Sequence, residues 1–273
     1  MLSGALRPPV ALTIAGSDPS GMAGLAADLR TFAAHEVYGA AAVTCLTVQG
    51  ERGVRAVHSA PPDFVSAQIA GVFGELPVAA VKTGMLGSAG IVHAVADALR
   101  DHRPERLVVD PVLEATAGGR LLATDAIAVL LRRLVPMATL LTPNLPEARI
   151  LAGGETEEPR LLARRLLDAG AAAVLIKGGH AAEGDSVSDW LGMGDEVEEI
   201  RRPRLRTPHT RGTGCTLSAA ITARLARGVA LEEAVRGARD WLQEAIASGY
   251  APGVGAGPVH QFHAWWGRGE KGQ

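Results

Sequence analysis

Short aliphatic and β-branched runs alternate along this chain with longer Ala/Leu/Arg segments of helical period, and that rhythm is the signature of parallel βαβ units. The apolar runs predict strands at 10–15, 41–46, 79–82, 107–110, 139–142 and 173–177. Between them the spacing predicts helices at 24–35, 62–74, 89–100, 124–134, 145–152 and 160–169. After Lys177 the rhythm changes: residues 186–191 and 196–200 flank Gly192-Met193-Gly194-Asp195 and predict an antiparallel hairpin at the sheet edge. Two further helices close the chain, at 214–227 and 231–248; the second opens with Leu231-Glu232-Glu233, acids where the helix dipole favours them. The expected fold is α/β, a mostly parallel central sheet with an antiparallel edge hairpin. No repeat, low-complexity linker or composition break divides it, so residues 1–273 read as one domain with flexible ends at 1–9 and 267–273.

Composition narrows the function classes. At 273 residues and 47% hydrophobic, the chain has ample core and needs neither disulfides nor a metal to fold. A formal net charge of −2 offers no long-range attraction for nucleic acid or an anionic membrane. The two cysteines, Cys45 and Cys215, have no paired spacing, which argues against a disulfide scaffold or a zinc site. Arg7-Pro8-Pro9 and the short apolar run after it do not make a secretory signal, and no segment reaches the ~18 apolar residues of a membrane span. The expected compartment is the cytoplasm and the expected partner a small molecule or a protein.

Polar residues that carry chemistry gather at two kinds of place. Arg211-Gly212-Thr213-Gly214-Cys215-Thr216 leads two glycines into a helix whose first-turn amides lack internal partners, an arrangement suited to an anion. It is not a P-loop, because no Gly-Lys-Ser/Thr follows at the required spacing. Cys215 falls in that first turn, where a thiol pKa drops below its usual ~8.5. The plain alternative, a glycine cap before a helix with a buried Cys, weighs about evenly. The other place is the carboxyl ends of the strands, where open α/β sheets bind ligands. Asp110-Pro111, Thr142-Pro143-Asn144 with Glu147, and Lys177-Gly178-Gly179-His180 each follow a strand. Asp110 and Glu147 suit a water-bridged magnesium ion and Lys177 suits phosphate charge. Singly, Asp110 serves as well as a turn former, and Asn144 with Glu147 as a helix cap. Their shared edge raises the chemical reading. Between the first strand and helix, the segment 15–24 leads to Asp28, one turn into the helix and facing where a ligand would sit; an exposed acid near a helix start is its ordinary explanation.

Read together, these segments resemble the ribokinase-like superfamily, and within it the hydroxymethylpyrimidine/phosphomethylpyrimidine kinases of thiamine biosynthesis. The resemblance runs from Leu12 to Trp266. It rests on Leu12-Thr13-Ile14-Ala15-Gly16-Ser17-Asp18-Pro19-Ser20-Gly21, Ala27-Asp28-Leu29, Lys82-Thr83-Gly84-Met85-Leu86, Asp110-Pro111-Val112, Thr142-Pro143-Asn144-Leu145-Pro146-Glu147-Ala148, Lys177-Gly178-Gly179-His180 and Gly212-Thr213-Gly214-Cys215-Thr216. It implies a ribokinase-like three-layer α/β/α sandwich, a homodimer, Mg2+, and ATP as co-substrate. It further implies that Cys215 is the base where the superfamily's sugar kinases place aspartate. Gln49 grips the pyrimidine with an amide that donates and accepts at once. Asp28 is a substrate-side acid, and Gly16, Met85 and Val112 belong to the acceptor pocket. Asp110, Asn144 and Glu147 form the magnesium–phosphate cluster, Lys177 lies near ATP, and Gly212, Thr213 and Gly214 receive the phosphoryl group.

The chain departs from the family pattern at several points. Gly50 follows Gln49 where Asn is usual, Met22 stands for a common Gly, Arg211 for a frequent His and His209 for a frequent Asn. Glu114 replaces an apolar residue, and Ala115-Thr116-Ala117-Gly118 is a loose version of its loop. Two rivals remain: a pyridoxal or pyridoxine kinase on the same scaffold, and a catalytically silent ligand-binding regulator, against which the intact Asp110, Glu147, Lys177 and Cys215 set argues. A nicotinamide dehydrogenase is disfavoured because no Gly-x-Gly-x-x-Gly follows the first strand.

Overall fold

The computed structural model describes residues 7–50, 53–114, 121–154, 156–179 and 184–266. Along them run β1 (Val10–Ser17), α1 (Gly24–Ala34), β2 (Tyr38–Gly50), β3 (Gly53–Ser59), α2 (Pro62–Glu75), β4 (Val78–Thr83), α3 (Ala89–His102) and β5 (Leu107–Val109). Then come α4 (Thr124–Arg133), β6 (Leu140–Leu141), α5 (Leu145–Leu151), α6 (Pro159–Asp168), β7 (Ala173–Ile176), β8 (Ser186–Met193), β9 (Glu196–Pro203), α7 (Thr213–Ala226) and α8 (Leu231–Ala247). The strands share one sheet in the order β3-β2-β1-β4-β5-β6-β7-β8-β9. From β2 through β7 the pairing is parallel. Both edges are antiparallel, β3 on β2 at one side and β8 and β9 beyond β7 at the other.

Side chains alternate across each central strand, so each strand feeds two cores. Leu12, Ile14, Val81, Leu107, Val109, Leu141, Val174 and Ile176 enter one core with α2 through α6. Ala11, Ala80, Val108, Leu140, Ala173 and Leu175 enter the other with α1, α7 and α8. Three layers result. α7 is buried on nearly every side, and its Ala219, Ala220 and Ala223 bring it close against the sheet and its helical neighbours.

The mostly parallel sheet and the edge hairpin at 186–203 match expectation. The opposite edge differs. The strand expected at 41–46 spans Tyr38–Gly50, and a partner, β3, was not foreseen. From Arg55 to Ser59 that partner is exposed, so no buried face imposes the alternation by which a strand is read. β5, β6 and β7 stop one residue short of Asp110, Thr142 and Lys177, which therefore stand just past the carboxyl edge of the sheet. His180, the loop 115–118 and the terminal residues 1–6 and 267–273 lie outside the described residues.

Candidate active site

The carboxyl edge of the parallel strands opens into one cavity of about 590 Å³. Of the site residues expected from sequence, all border it except Asp28. Its chemistry is best read strand by strand.

Asp110 leaves β5 and is almost fully buried. Its Oδ1 accepts from Lys177 Nζ at 2.8 Å and from Thr142 Oγ1 at 3.2 Å, while Oδ2 accepts from Ser218 Oγ of α7 at 3.0 Å. Three strand ends and one helix thus meet on a single carboxylate. Burial disfavours the charge on Lys177, yet the carboxylates of Asp110 and Glu147 outweigh it and hold the lysine above its ordinary pKa. Glu147 sits in the first turn of α5. Asn144 Oδ1 accepts from the Glu147 amide, and Glu147 Oε2 accepts from the Asn144 amide, both at 2.8 Å, a capping box. The other oxygen, Oε1, accepts from the Leu113 amide at 3.3 Å. Burial pushes the Glu147 carboxyl up to about 7; Lys177 opposes that rise and the charge of Asp110 adds to it. The capping reading of Asn144 and Glu147 therefore holds, and the capped turn sets both residues on the cavity wall.

Gly212 caps α7 in the left-handed region, at φ 75°. The Thr216 amide returns to Gly212 O and the Thr213 amide to Thr210 O. Among the described residues the amides of Gly214 and Cys215 have no backbone partner, and both residues border the cavity, an arrangement suited to cradling an anion. The Cys215 sulfur receives the backbone amide of Gly24, so it lies between the starts of α7 and α1. One expectation is corrected here. The helix start was to depress this thiol's pKa, but burial pushes it up; Lys82 opposes the rise, and the carboxylates of Asp28 and Asp110 reinforce it.

Asp28 is the second correction. It is fully buried behind the cavity wall, not turned into it. Both its oxygens meet Lys82 Nζ, at 2.6 and 2.7 Å, and Oδ2 also accepts from Thr13 Oγ1 at 2.7 Å. Lys82 is the residue that reaches the cavity. Burial opposes its charge, but Asp28 outweighs burial and keeps it cationic, with a pKa above its ordinary value. Lys82 stands in one of the motifs above with no role attached to it. A lysine within the buried run Ala80-Val81-Lys82-Thr83 needs a partner, and that requirement was the available signal.

The cavity's other walls divide by character. Gly16, Met85, Val112 and Leu121 form an apolar end, and Gln49 borders it from β2. Both Gly16 and Gln49 sit at register shifts in their strands, where bulges turn residues out of the ladder. A methyl group on Gly16 would lie 2.7 Å from Cys45 Sγ and 3.1 Å from Met85 Sδ, so only glycine leaves this end open. At the opposite end Leu205, Pro208, Ile246 and Ala256 make a second apolar slot with Gln243 beside it. No sequence motif pointed to it. Asp189 of β8 and Arg239 of α8 form a buried pair at 2.5 Å, and Asp189 Oδ1 accepts the Gly178 amide at 2.9 Å. This pair fixes the loop that follows Lys177.

Comparisons with known proteins bear on the whole chain. A family model described as phosphomethylpyrimidine kinase matches residues 18–260. A hydroxymethylpyrimidine/phosphomethylpyrimidine kinase of Rhizobium meliloti is 46% identical over 263 residues, which cover 94% of this chain and 98% of the relative. Among solved structures, an ADP complex of Bacillus subtilis pyridoxal kinase superposes with a TM-score of 0.88 at 33% identity, covering 94% of this chain and 99% of that one. A phosphomethylpyrimidine kinase from Clostridium difficile superposes with a TM-score of 0.76 at 37% identity, covering 87% and 99%.

Proposed function

The chain belongs to the phosphomethylpyrimidine kinase family, and from that premise we propose that it phosphorylates 4-amino-5-hydroxymethyl-2-methylpyrimidine with ATP, then phosphorylates the monophosphate, in thiamine biosynthesis. One observation carries this reading: Asp110, Glu147, Lys177 and Cys215 line a single cavity whose wall also includes two apolar groups, Gly16, Met85 and Val112 in one and Leu205, Pro208 and Ile246 in the other. The pyrimidine lies among Gly16, Met85 and Val112, with the Gln49 carboxamide on its ring nitrogen and amino group. Adenine takes the slot of Leu205, Pro208 and Ile246. The γ-phosphoryl group then falls between them, at the amides of Gly212 to Cys215 with Thr213 alongside, where Lys177 offsets its charge. Cys215 takes the alcohol's proton in the first reaction.

Asp110 and Glu147 suit Mg2+ held through water. Their oxygens already accept internal hydrogen bonds, and among the described residues no cluster of three or more His, Cys, Asp or Glu forms a cage. That donor set fits a hydrated ion that travels with the triphosphate, and such an ion would offset phosphate charge. A carboxyl pushed up to about 7 gives the fit a testable sign. A cation favours the ionised form, so as pH rises from roughly 6 to roughly 8 the Mg2+ needed for half-maximal rate should fall. Glu147→Gln should flatten that dependence; ATP's own titration is common to both proteins, so the difference reports Glu147. Parallel curves for the two proteins would take Glu147 out of the metal site.

Purified protein with magnesium–ATP and the pyrimidine alcohol should yield products one and then two phosphates heavier by mass spectrometry. In the same assay Gln49→Ala should raise the KM for the pyrimidine and leave that for magnesium–ATP near normal. The close superposition on pyridoxal kinases favours a second reading, phosphorylation of pyridoxal or pyridoxine. Turnover of both alcohols side by side decides between them. The two cysteines are unpaired thiols, as a cytoplasmic setting favours. Leu46 and Val48 stand exposed on one face of β2, next to edge strand β3, and a homodimer would cover them. Sedimentation velocity at the mass of a single chain would dismiss that assembly.

A further inference from the structure

Among the described residues five cationic side chains border the cavity, and three are already neutralised: Lys82 by Asp28, Lys177 by Asp110 and Arg239 by Asp189. Arg204 and Arg211 have no carboxylate partner among the described residues. Arg204 follows β9 at the nucleotide end and donates to the carbonyls of Gly184 and Ser186. Arg211 stands elsewhere. Its Nη2 donates to the carbonyl of Gly50 at 2.8 Å, joining segments 161 residues apart. Gly50 adjoins Gln49 at the acceptor end, and Arg211 itself adjoins Gly212 of the anion cradle. The guanidinium is thereby held across the gap between acceptor and cradle, with donors left over after the Gly50 bond.

We infer that Arg211 is a specificity-determining residue for the second phosphorylation, binding the phosphate that the acceptor carries after the first. This rests on the proposed function and refines it. The two acceptors differ in charge: the alcohol is neutral, whereas the monophosphate is largely a dianion because its second pKa is near ~6. Among the described residues every other acceptor-side cation is matched by a buried acid, so among them Arg211 is the unmatched partner for the added charge. A guanidinium also suits a phosphate in shape, offering paired donors where an ammonium offers a point charge. In the second reaction an oxygen of the bound monophosphate forms a bond to the γ-phosphorus. The bond from that phosphorus to the β–γ bridging oxygen breaks, its electron pair leaves with ADP, and no proton need be removed first. Arg211 binds the dianion through this step and is dispensable when the acceptor is an alcohol.

The test supplies each acceptor separately to the full chain at saturating magnesium–ATP. Arg211→Gln, which keeps donors and loses charge, should lower kcat/KM for the monophosphate roughly ten- to hundredfold, mostly through KM. The alcohol step should stay near that of the unaltered protein. Arg211→Lys should fall between, because it keeps charge without the fork. As a reading of binding alone, the monophosphate should also lose potency as an inhibitor of the alcohol step in Arg211→Gln. Equal losses in both steps would assign Arg211 to ATP or to the fold, and no loss in either would remove its role. If the unaltered protein uses the alcohol but not the monophosphate, this role fails together with the second phosphorylation, while the alcohol-kinase reading stands. Use of neither acceptor would fail that reading and take this role with it.

Discussion

Cys215→Ala should slow phosphorylation of the alcohol by about 10²- to 10⁴-fold, the usual worth of a positioned base, and leave phosphorylation of the monophosphate near its normal rate. The asymmetry follows from the acceptors. A primary alcohol must shed a proton, whereas the phosphate arrives already ionised. The thiol's environment sets the pH signature. Burial pushes its pKa above the ordinary thiol value, despite Lys82 and the Gly24 amide, so at neutral pH the resting group is protonated. A base works deprotonated, and the alcohol step should therefore still be climbing as pH rises through the alkaline range. That limb should be absent from the monophosphate step and from the alanine variant. A high pKa does not disqualify the group. The transition state of phosphoryl transfer is loose and the nucleophile's proton moves late, when a strong base is most useful. Equal losses in both steps, or an alcohol-step profile that is flat above neutrality, would take Cys215 out of this role.

Much of the site is legible in the sequence because its residues stand where a strand's pattern breaks. Asp110, Asn144 and Lys177 each follow an apolar run, and the sheet order brings those runs side by side. Legibility fails where the information is a pairing over distance. Lys82 and Asp28 are 54 residues apart, and nothing local in either segment names the other. Yet the helix did carry a clue to Asp28. Leu25, Asp28 and Phe32 share the i, i+3, i+7 spacing of one face, and all three are buried. That spacing places Asp28 toward the sheet, not toward a ligand. The slot at Leu205 and Pro208 was invisible for a different reason: it follows β9 in a segment without periodicity and is completed by Ile246 of α8, so only the packed chain defines it.

The two glycines of the cradle should fail in different ways. Gly212→Ala should reduce both phosphorylations together, by about 10²- to 10³-fold, the scale seen when anion-binding donors are displaced. Its φ of 75° disfavours any L side chain, and the added methyl would lie 1.9 Å from the Met22 carbonyl oxygen. A backbone atom cannot swing aside, so the loop must move and take its amides with it. The melting temperature should fall as well. Gly214 has no such constraint, for among the described residues a methyl there meets only Lys177 Nζ, at 3.4 Å. Inside the first turn of α7, alanine is the better helix former by up to about 1 kcal/mol. Gly214→Ala should therefore hold or raise the melting temperature. Activity should nonetheless drop in both steps, because the methyl enters the space between the cradle and Lys177 that the transferring phosphoryl group is to occupy. Steady-state rates beside thermal melts separate the two effects. A Gly214→Ala protein that keeps full activity would mean that the phosphoryl group passes elsewhere, and the roles given to Lys177 and to the amides of this loop would go with it.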